Sequence, residues 1–586
     1  MKNQSRSTHL ALASVIAARI VAAPIVAASI VAASCVLPAS SDHESGEVGS
    51  DAPTEIVLVM DVPADRTDEL RDAGDVWGVD RARDGYVMQV TAKERATLTA
   101  AGFEVETDQV RAGSQEYFRQ VDRSTWRAAG REGVPGFACY RTVDETHQDL
   151  RALAQAYPEL ARLEAIGETW QYQNSQGQHG DPIHALVLGR ADSPHHQAPL
   201  LVMAAQHARE LTTAEIAMRF AEHLVENYET DPIARWLLDH RQVHVVPHLN
   251  PDGRRQVEQS ARMWRKNENT EACPNTGWRR TLGVDLNRNH AAHFGRGVAS
   301  SNPCNDTYHG SEAGSEPESQ AIEAYMEEVF TRQRPADDVT PAPIDAEGIF
   351  LSLHSFSELI LVPWDGKARG SAHNAPNNDE LMILGRKLGF YTDYATGRPA
   401  DILYEAGGST TDYAYKNFGV AAYTPEIGTD FTQSCQSFED GILQDNLDSL
   451  IYAAKAADKP YQTPWGPEVL ALSAHVDGQT LYLQGVADDD RFYPPLSGGQ
   501  LPAQNPIYGV ATVTASLDVP PHLADETFEL AVDPDGFTAS FSGQIPLVDD
   551  DFDLDRLIFV AATDTEGHTG VAEAAFATPA DGQARD

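Results

Sequence analysis

Strand-like and helix-like patterns of apolar residues alternate along the middle of this 586-residue chain. The run Pro199-Leu-Leu-Val-Met-Ala-Ala is apolar throughout, which is typical of a strand buried on both faces. It gives way to His207-Ala-Arg-Glu and then, from Thr212, to a stretch with helical periodicity. The alternation extends from an amphipathic helix over Val143–Ala156 to about Ala457. The pattern predicts an α/β domain of roughly 300 residues, built on a mixed sheet with helices on both faces.

The segment before this domain has an alternation of its own. A strand over Glu55–Met60 is followed by a charged helical stretch, a second strand over Tyr86–Val90 and a second helix over Ala92–Ala101. This β-α-β-α pattern predicts a small α+β module of about 60–70 residues.

After Pro460 the pattern changes to short alternating segments separated by Pro, Gly and Asp. Examples are Thr480–Gln484, Tyr508–Leu517 and Arg556–Thr563. Such spacing over about 125 residues predicts an all-β sandwich. The acidic runs Asp488–Asp490 and Asp549–Asp551 fit solvated turns, with calcium binding as the alternative.

The N-terminus has the features of an export signal. Lys2 and Arg6 precede a long Ala/Val/Ile stretch that ends at Ala32-Ala-Ser-Cys35, and Arg19 interrupts the stretch. The last four residues resemble a bacterial lipoprotein cleavage site. We therefore expect an extracellular or cell-envelope protein, either anchored by a lipid on Cys35 or secreted without one.

Composition narrows the classes of function. An apolar content of 42% indicates a globular chain, and its length requires several domains. The formal net charge of −43 argues against nucleic acid and anionic membrane surfaces as partners. If Cys35 is removed or lipidated, four cysteines remain and allow three disulfide pairings.

The strongest candidate chemistry begins at the polar end of the buried strand. His207 and Glu210 are three residues apart, so one turn can direct both side chains at a single ion. An imidazole and a carboxylate suit zinc, which in catalytic sites takes three protein ligands and leaves one position open. Alone, the pair is a weak signal, and a surface turn with a solvated ion pair explains it better. Further polar motifs follow in order: Asn250-Pro-Asp-Gly, Met263-Trp-Arg-Lys, Val284-Asp-Leu-Asn-Arg-Asn, His354-Ser, Tyr404 and Glu426.

Together these motifs resemble the zinc carboxypeptidases of the carboxypeptidase A type, and among them the bacterial carboxypeptidase T-like enzymes. The resemblance covers about Phe137 to Lys455, and the spacing of 22 between Tyr404 and Glu426 also fits it. The N-terminal module resembles bacterial carboxypeptidase pro-segments, with a docking domain that is never removed as the alternative. The sandwich resembles the C-terminal domain of many secreted members. We therefore divide the chain into a signal peptide (1–34), a linker and pro-segment (35–125), a zinc carboxypeptidase domain (126–458) and a β-sandwich domain (459–586).

The resemblance implies a role for each matching residue. Glu426 is the general base that takes a proton from the attacking water, and Arg265 stabilises the oxyanion. Asp285 orients His207. The ligands of one Zn²⁺ are His207, Glu210 and His354. The substrate-binding residues are Arg209, Asn250, Asn287, Arg288, Tyr404 and Thr411.

Within that set, Asn287 and Arg288 grip the C-terminal carboxylate of the substrate, and Tyr404 closes over it. The pocket for the terminal side chain is lined by Leu403, Ala406, Ser409, Thr411 and Thr424. These small neutral groups predict a preference for neutral or hydrophobic C-terminal residues. Asp365 and Glu405 would extend it to basic residues if either points into the pocket.

The resemblance also implies the pairing Cys273–Cys304, which leaves Cys139–Cys435. The rival metal candidates are His290, His293 and His248, for which we expect ordinary structural roles.

We therefore expect a monomeric, exported zinc metallocarboxypeptidase, made as a zymogen, that acts on peptide and protein C-termini. Two alternatives remain open. One is a peptidase that trims murein stem peptides with the same zinc site. The other is a non-catalytic surface binding protein in which the sandwich is the functional part; the presence of both Glu426 and Arg265 argues against it.

Overall fold

The computed structural model describes residues 54–63, 66–109, 111–112, 133–259, 263–271, 273, 282–490, 507–547 and 552–579. The predicted export signal, Cys35 and the run Asp549–Asp551 lie outside the described residues. Within the described ranges, no helix is both long and apolar enough to cross a membrane.

The N-terminal module is a four-stranded antiparallel sheet of order β2-β3-β1-β4, packed against two helices. Its elements are β1 (Thr54–Met60), α1 (Thr67–Ala73), β2 (Asp75–Asp80), β3 (Gly85–Thr91), α2 (Ala92–Ala100) and β4 (Glu104–Thr107). Strands β2 and β4 were not expected from the sequence. They are short, and β4 has no buried residue, so the alternation that identifies a strand is weak in both.

The two faces of this sheet have different partners, because successive side chains of a strand point to opposite faces. Val57 packs with Leu98 and other helical residues. Ile56, on the opposite face, packs in a cluster with Phe356 and Phe431 of the following domain. The module is therefore held against the domain that carries the candidate site.

The second domain contains an eight-stranded mixed sheet of order β11-β10-β12-β9-β7-β8-β6-β5. Its strands are β5 (Ala161–Glu168), β6 (Pro182–Leu188), β7 (Ala198–Met203), β8 (Arg241–Val246), β9 (Ile349–Ser352), β10 (Leu359–Leu361), β11 (Ala395–Gly397) and β12 (Ala421–Glu426). The central strands β12, β9, β7 and β8 are parallel. On one side β6 pairs antiparallel with β8, and β5 antiparallel with β6. On the other side β10 pairs antiparallel with β12 and parallel with β11. The predicted mixed α/β architecture is confirmed.

The helices of this domain cover the sheet. They are α3 (Val143–Ala156), α4 (Trp170–Asn174), α5 (Leu211–Glu226), α6 (Pro232–His240), α7 (Pro251–Gln259), α8 (Pro317–Val329), α9 (Asn378–Thr392), α10 (Pro399–Ile402), α11 (Thr410–Phe418), α12 (Cys435–Ser437) and α13 (Leu443–Ala456). Capping residues in the sequence determine where several of these helices begin. Thr142 and Glu145 form a capping box at α3, and Asp231 caps α6, whose first residue is Pro232.

The described residues after Trp465 form strands and no helices. The strands are β13 (Glu468–Asp477), β14 (Thr480–Asp488), β15 (Val510–Leu517), β16 (Phe528–Asp535), β17 (Thr538–Pro546), β18 (Ile558–Asp564), β19 (Glu573–Ala575) and β20 (Thr578–Pro579). Phe559 of β18 is fully buried and packs edge-to-face on Trp236 of α6, with ring centroids 5.4 Å apart. The β-rich region thus shares apolar core with the α/β domain.

Two disulfides cross-link the described residues, Cys139–Cys435 and Cys273–Cys304. This is the pairing that the family resemblance implies. Cys139–Cys435 closes a loop of 296 residues and joins the entrance of the α/β domain to α12. Such a link restricts the unfolded chain and so favours the folded state.

Candidate active site

The candidate metal ligands come from the ends of two neighbouring parallel strands. β7 pairs with β9 in parallel, with Met203 opposite Ser352, so both strands end at the same edge of the sheet. His207 follows β7, and Glu210 directly precedes the first residue of α5. His354 lies two residues beyond β9. The sheet therefore brings together side chains that are 147 residues apart in the chain.

Ligand atoms from these three residues lie close together. His207 Nδ1 is 2.8 Å from Glu210 Oε1 and 3.0 Å from His354 Nδ1, and His354 Nδ1 is 3.1 Å from Glu210 Oε2. Among the described residues, this is the one group of three or more His, Cys, Asp or Glu side chains with the spacing of a metal site. All three side chains are buried. Two imidazoles and one carboxylate are a ligand set that suits catalytic zinc, so the residues fit the metal that the sequence predicts.

The far sides of both imidazoles are held by hydrogen-bond partners. His207 Nε2 is 3.0 Å from Asp285 Oδ1, and His354 Nε2 is 2.9 Å from Ser352 Oγ. Such contacts fix the ring orientation and direct the opposite nitrogens, both Nδ1, at the metal position. Burial opposes the charge of Asp285, but Arg265, Arg288 and His207 hold the pKa of this carboxyl well below its usual range.

Glu426 stands at the end of β12, beside the ligand set. It forms an isolated backbone bridge with His354, which brings its side chain to the same edge of the sheet. Burial, reinforced by the negative charge of Glu210, raises the pKa of Glu426 well above its usual range. Arg265 faces the same group: its Nη1 is 3.9 Å from Glu210 Oε1, and its Nε and Nη2 donate to Asp285 Oδ2 at 3.1 and 2.9 Å.

Asn287 and Arg288 belong to a short 3₁₀ turn, Leu286–Arg288, and the Asn287 N–H donates to the Asp285 carboxylate at 3.1 Å. Arg288 is 3% exposed, and its Nη1 donates to the Asn287 carbonyl at 2.6 Å. Its Nε has no hydrogen-bond partner among the described residues. A buried guanidinium with an unused donor is suited to a carboxylate from a bound molecule.

These groups enclose one cavity. Tyr404 lines it, and burial raises the pKa of the phenol, so the hydroxyl stays protonated. Trp77 of the N-terminal module also lines it. The full lining is Trp77, His207, Glu210, Arg265, Asn287, Arg288, Ser355, Leu361, Asp365, Pro399, Leu403, Tyr404, Ala406, Thr424, Glu426 and Phe431.

Three predicted substrate-binding residues lie outside this lining. Arg209 borders the adjoining cleft, where its guanidinium lies 4.0 Å from the ring centroid of Phe431. The Asn250 amide donates to the Lys266 carbonyl at 2.9 Å and its oxygen accepts from Gly253 N–H, so this side chain fixes a turn. Thr411 lies behind the wall and is hydrogen-bonded to Thr424 at 2.6 Å.

The rival histidines have other partners. His290 binds Glu323, His293 binds Asp412 and His248 is 3.2 Å from the Thr146 hydroxyl. They therefore have the structural roles that the sequence analysis expected.

The sequence analysis missed two aromatic residues that line the cavity, Trp77 and Phe431. Trp77 lies on the unpredicted strand β2, and Phe431 lies on the irregular segment after β12. No local pattern marks either as facing the site, because Trp77 reaches it through packing of the module on the domain and Phe431 lies on a segment that is neither helix nor strand.

The fold and the site define a metallopeptidase of mixed α/β architecture with a buried His-Glu-His ligand set. The family model for zinc carboxypeptidase matches residues 146–449, just over half of the chain, and the chain belongs to that family. It is therefore a zinc metallocarboxypeptidase.

The curated relatives and solved structures agree with this membership. Rat carboxypeptidase A1 is 28% identical over 331 residues, which are 56% of this chain and 71% of the relative. Bovine carboxypeptidase A1 is 28% identical over 297 residues, 50% of this chain and 63% of the relative. The fold is similar to that of carboxypeptidase A from Helicoverpa armigera, with a TM-score of 0.55 and 22% identity over 69% of this chain and 97% of that one. The closer resemblance to bacterial carboxypeptidase T-like enzymes stays a prediction.

Proposed function

We propose that this chain is an exported enzyme that hydrolyses the C-terminal peptide bond of peptides and proteins. The observation that carries the proposal is the single cavity in which the His-Glu-His group, Glu426, Arg265 and Arg288 meet. Each group corresponds to one requirement of the reaction. The two disulfides fit the oxidising compartment that export implies.

His207, Glu210 and His354 would hold the metal. When bound, Zn²⁺ supplies a Lewis acid that polarises a carbonyl and makes water acidic near neutral pH. Glu426 takes a proton from water as the water oxygen bonds to the scissile carbonyl carbon. It then gives that proton to the departing nitrogen as the C–N bond breaks. The Arg265 guanidinium faces the carbonyl oxygen and stabilises the negative charge that develops there.

Selectivity for chain ends comes from Arg288 and Asn287. A buried guanidinium can bind a terminal carboxylate with two parallel hydrogen bonds, which an internal peptide bond cannot accept. The protonated Tyr404 hydroxyl is available to donate a further hydrogen bond to the bound end. We assign these three residues to carboxylate recognition, with Arg209 in the adjoining cleft contacting the preceding part of the peptide.

The terminal side chain would occupy the part of the cavity with apolar walls. Leu361, Leu403 and Ala406 supply most of that surface, and Thr424 adds a small polar group whose hydroxyl is already bonded to Thr411. Such a pocket favours neutral or hydrophobic residues, because they lose no hydrogen bond on entering it.

The N-terminal module would act as a pro-segment that keeps the site closed. Besides Trp77, it contributes a hydrogen bond from Val79 N–H to Ser357 Oγ at 3.0 Å and one from Arg111 Nε to the Thr429 carbonyl at 3.1 Å. Ser357 and Thr429 flank the site. Cleavage between the module and the α/β domain is therefore expected to increase activity.

Metal removal tests the proposal. The purified full chain, before and after limited proteolysis within residues 113–132, is given peptides ending in Phe or Leu. Release of the last residue should stop after dialysis against a chelator and return when Zn²⁺ is added. Removal of the metal should also lower the midpoint temperature of thermal unfolding, because only the folded protein presents the three ligands together and binds the metal. Undiminished release from protein shown to be metal-free would contradict the proposal.

A further inference from the structure

His293, one of the three histidines for which the sequence analysis expected only an ordinary structural role, lies against the wall of the side-chain pocket. Two glycines allow this close approach. A Cβ atom on Gly366 would collide with the His293 Cβ, and one on Gly407 would collide with the His293 carbonyl oxygen. Asp365 and Ala406, which directly precede these glycines, line the cavity. His293 therefore packs on two segments of the wall without lining the cavity itself.

The imidazole of His293 is connected to both segments through Asp412. His293 Nδ1 lies 2.6 Å from Asp412 Oδ2. The Asp412 carboxylate accepts the N–H groups of Asp365 and Gly366 at 2.8 and 3.0 Å. The Asp365 carbonyl oxygen in turn accepts the Ala406 N–H at 2.8 Å. One chain of hydrogen bonds thus leads from His293 Nδ1 to the two segments of the wall.

The backbone of His293 has a conformation that requires support from its surroundings. Its φ is +54°, in the left-handed region that few residues other than Gly and Asn adopt. Such a conformation persists where neighbouring contacts hold it. Here the imidazole is buried, meets the Trp364 ring edge-to-face with centroids 5.0 Å apart, and has its Nε2 3.3 Å from Asp338 Oδ1. Together with Asp412, these contacts fix the ring.

His290 shows the contrast. It is three residues away in the same segment, and it is also buried and bonded to a carboxylate. Its Nδ1, however, lies 2.7 Å from Glu323, which belongs to helix α8. The imidazole of His290 thus holds a helix, whereas that of His293 holds the wall of the pocket.

We propose that His293 is a positioning residue for the reaction, which acts through Asp412 to fix the pocket wall before the substrate binds. This inference rests on the proposed function. The backbone of Asp365, Gly366 and Ala406 would then have the same position with and without a bound side chain. A wall that does not have to be ordered during binding leaves more of its contact energy for recognition of the terminal side chain.

The test measures how strongly the enzyme distinguishes a peptide ending in Leu from an otherwise identical peptide ending in Ala. A final Ala has little side chain to place against the wall, whereas the metal, the general base and the carboxylate-binding residues serve both peptides. The zinc-loaded chain is assayed after limited proteolysis as wild type, His293→Gly, His293→Asn and His290→Gly. Glycine adopts a positive φ readily, so His293→Gly removes the side chain without straining the backbone.

His293→Gly should lower the Leu/Ala ratio of kcat/KM by roughly 10-fold, because a displaced wall loses contact with the longer side chain. The change should come mainly from a higher KM for the Leu peptide, with zinc content still at one per chain. His293→Asn should restore most of the ratio, since its amide nitrogen can take the place of Nδ1 and Asn tolerates a positive φ. His290→Gly, the matched control, should leave the ratio as in the wild type.

The possible failures are distinguishable. A wild-type ratio in His293→Gly, an equal loss in His290→Gly, or no recovery in His293→Asn would each overturn the inference and leave the proposed function intact. Release of neither residue by the wild type would overturn the proposed function itself. If His293→Gly does not fold, Asp412→Asn decides, because one amide oxygen cannot accept from all three donors: a lower ratio supports the inference, and an unchanged ratio contradicts it.

Discussion

At the scale of single residues, Asp285 connects the His-Glu-His group to Arg265 and Arg288. One carboxylate oxygen faces His207 Nε2, and the other accepts two hydrogen bonds from Arg265. Its backbone also begins the turn that carries Asn287 and Arg288. A single fully buried residue thus positions the groups to which we assign metal binding, oxyanion stabilisation and carboxylate binding.

The proposed general base, Glu426, gives the sharpest prediction at this scale. Glu426→Gln keeps the size of the side chain but cannot accept a proton, so kcat should fall by about 100- to 10,000-fold. Zinc content should stay at one per chain, because Glu426 is not in the ligand group. Steady-state kinetics and elemental analysis of the same sample would measure both. A kcat near that of the wild type at full zinc occupancy would assign the base to another residue.

The metal ligands could be predicted because they follow from a local rule: polar residues at the carboxyl ends of adjacent buried strands meet at one edge of a sheet. The roles of Asn250 and Thr411 depend instead on which way a side chain points. Asn250 turns into its own loop, and Thr411 turns toward Thr424. Ser352, whose hydroxyl contacts His354 Nε2, lies within strand β9, and no sequence motif identified it as part of the site.

At the scale of elements, the position of β2 supports the proposed closure of the site by the N-terminal module. The strand places Trp77 at the cavity, where its ring centroid lies 5.3 Å from that of Phe431. The Trp77 indole donates to Asp75 at 3.0 Å, which restricts the orientation of the ring. The charged sequence around Trp77 has no pattern that identifies a strand. The segment becomes the strand β2 by pairing with β3.

Trp77→Ala tests this closure. Removing the ring should raise peptide hydrolysis by the uncleaved full chain roughly 10- to 100-fold, since buried aromatic anchors dominate such interfaces. Lys93→Ala, an exposed change on α2 of the same module, is the matched control and should have no effect. Activity after proteolysis should be equal in all three proteins. If Trp77→Ala hydrolyses no faster than the wild type before cleavage, Trp77 does not close the site.

At the scale of the whole molecule, the α/β domain and the β-rich region form one packed body. Phe559 lies in the same apolar cluster as Trp236, although more than half of the chain separates them. The buried pair Lys387 and Glu468 adds a charged contact across the same boundary. The change of pattern after Pro460 predicted the β-rich character of this region correctly, but contacts between such distant segments have no local signature in a sequence.

The measurement that most directly tests the account uses two peptides that are identical except at the last group, one ending in a free Leu and the other in Leu amide. The zinc-loaded full chain is assayed on both after limited proteolysis. If Arg288 binds the terminal carboxylate of the substrate, kcat/KM for the peptide with the free Leu should exceed that for the Leu amide peptide by roughly 100-fold or more. Equal hydrolysis of the two peptides, or cleavage at internal bonds, would contradict the assignment of this cavity to chain ends.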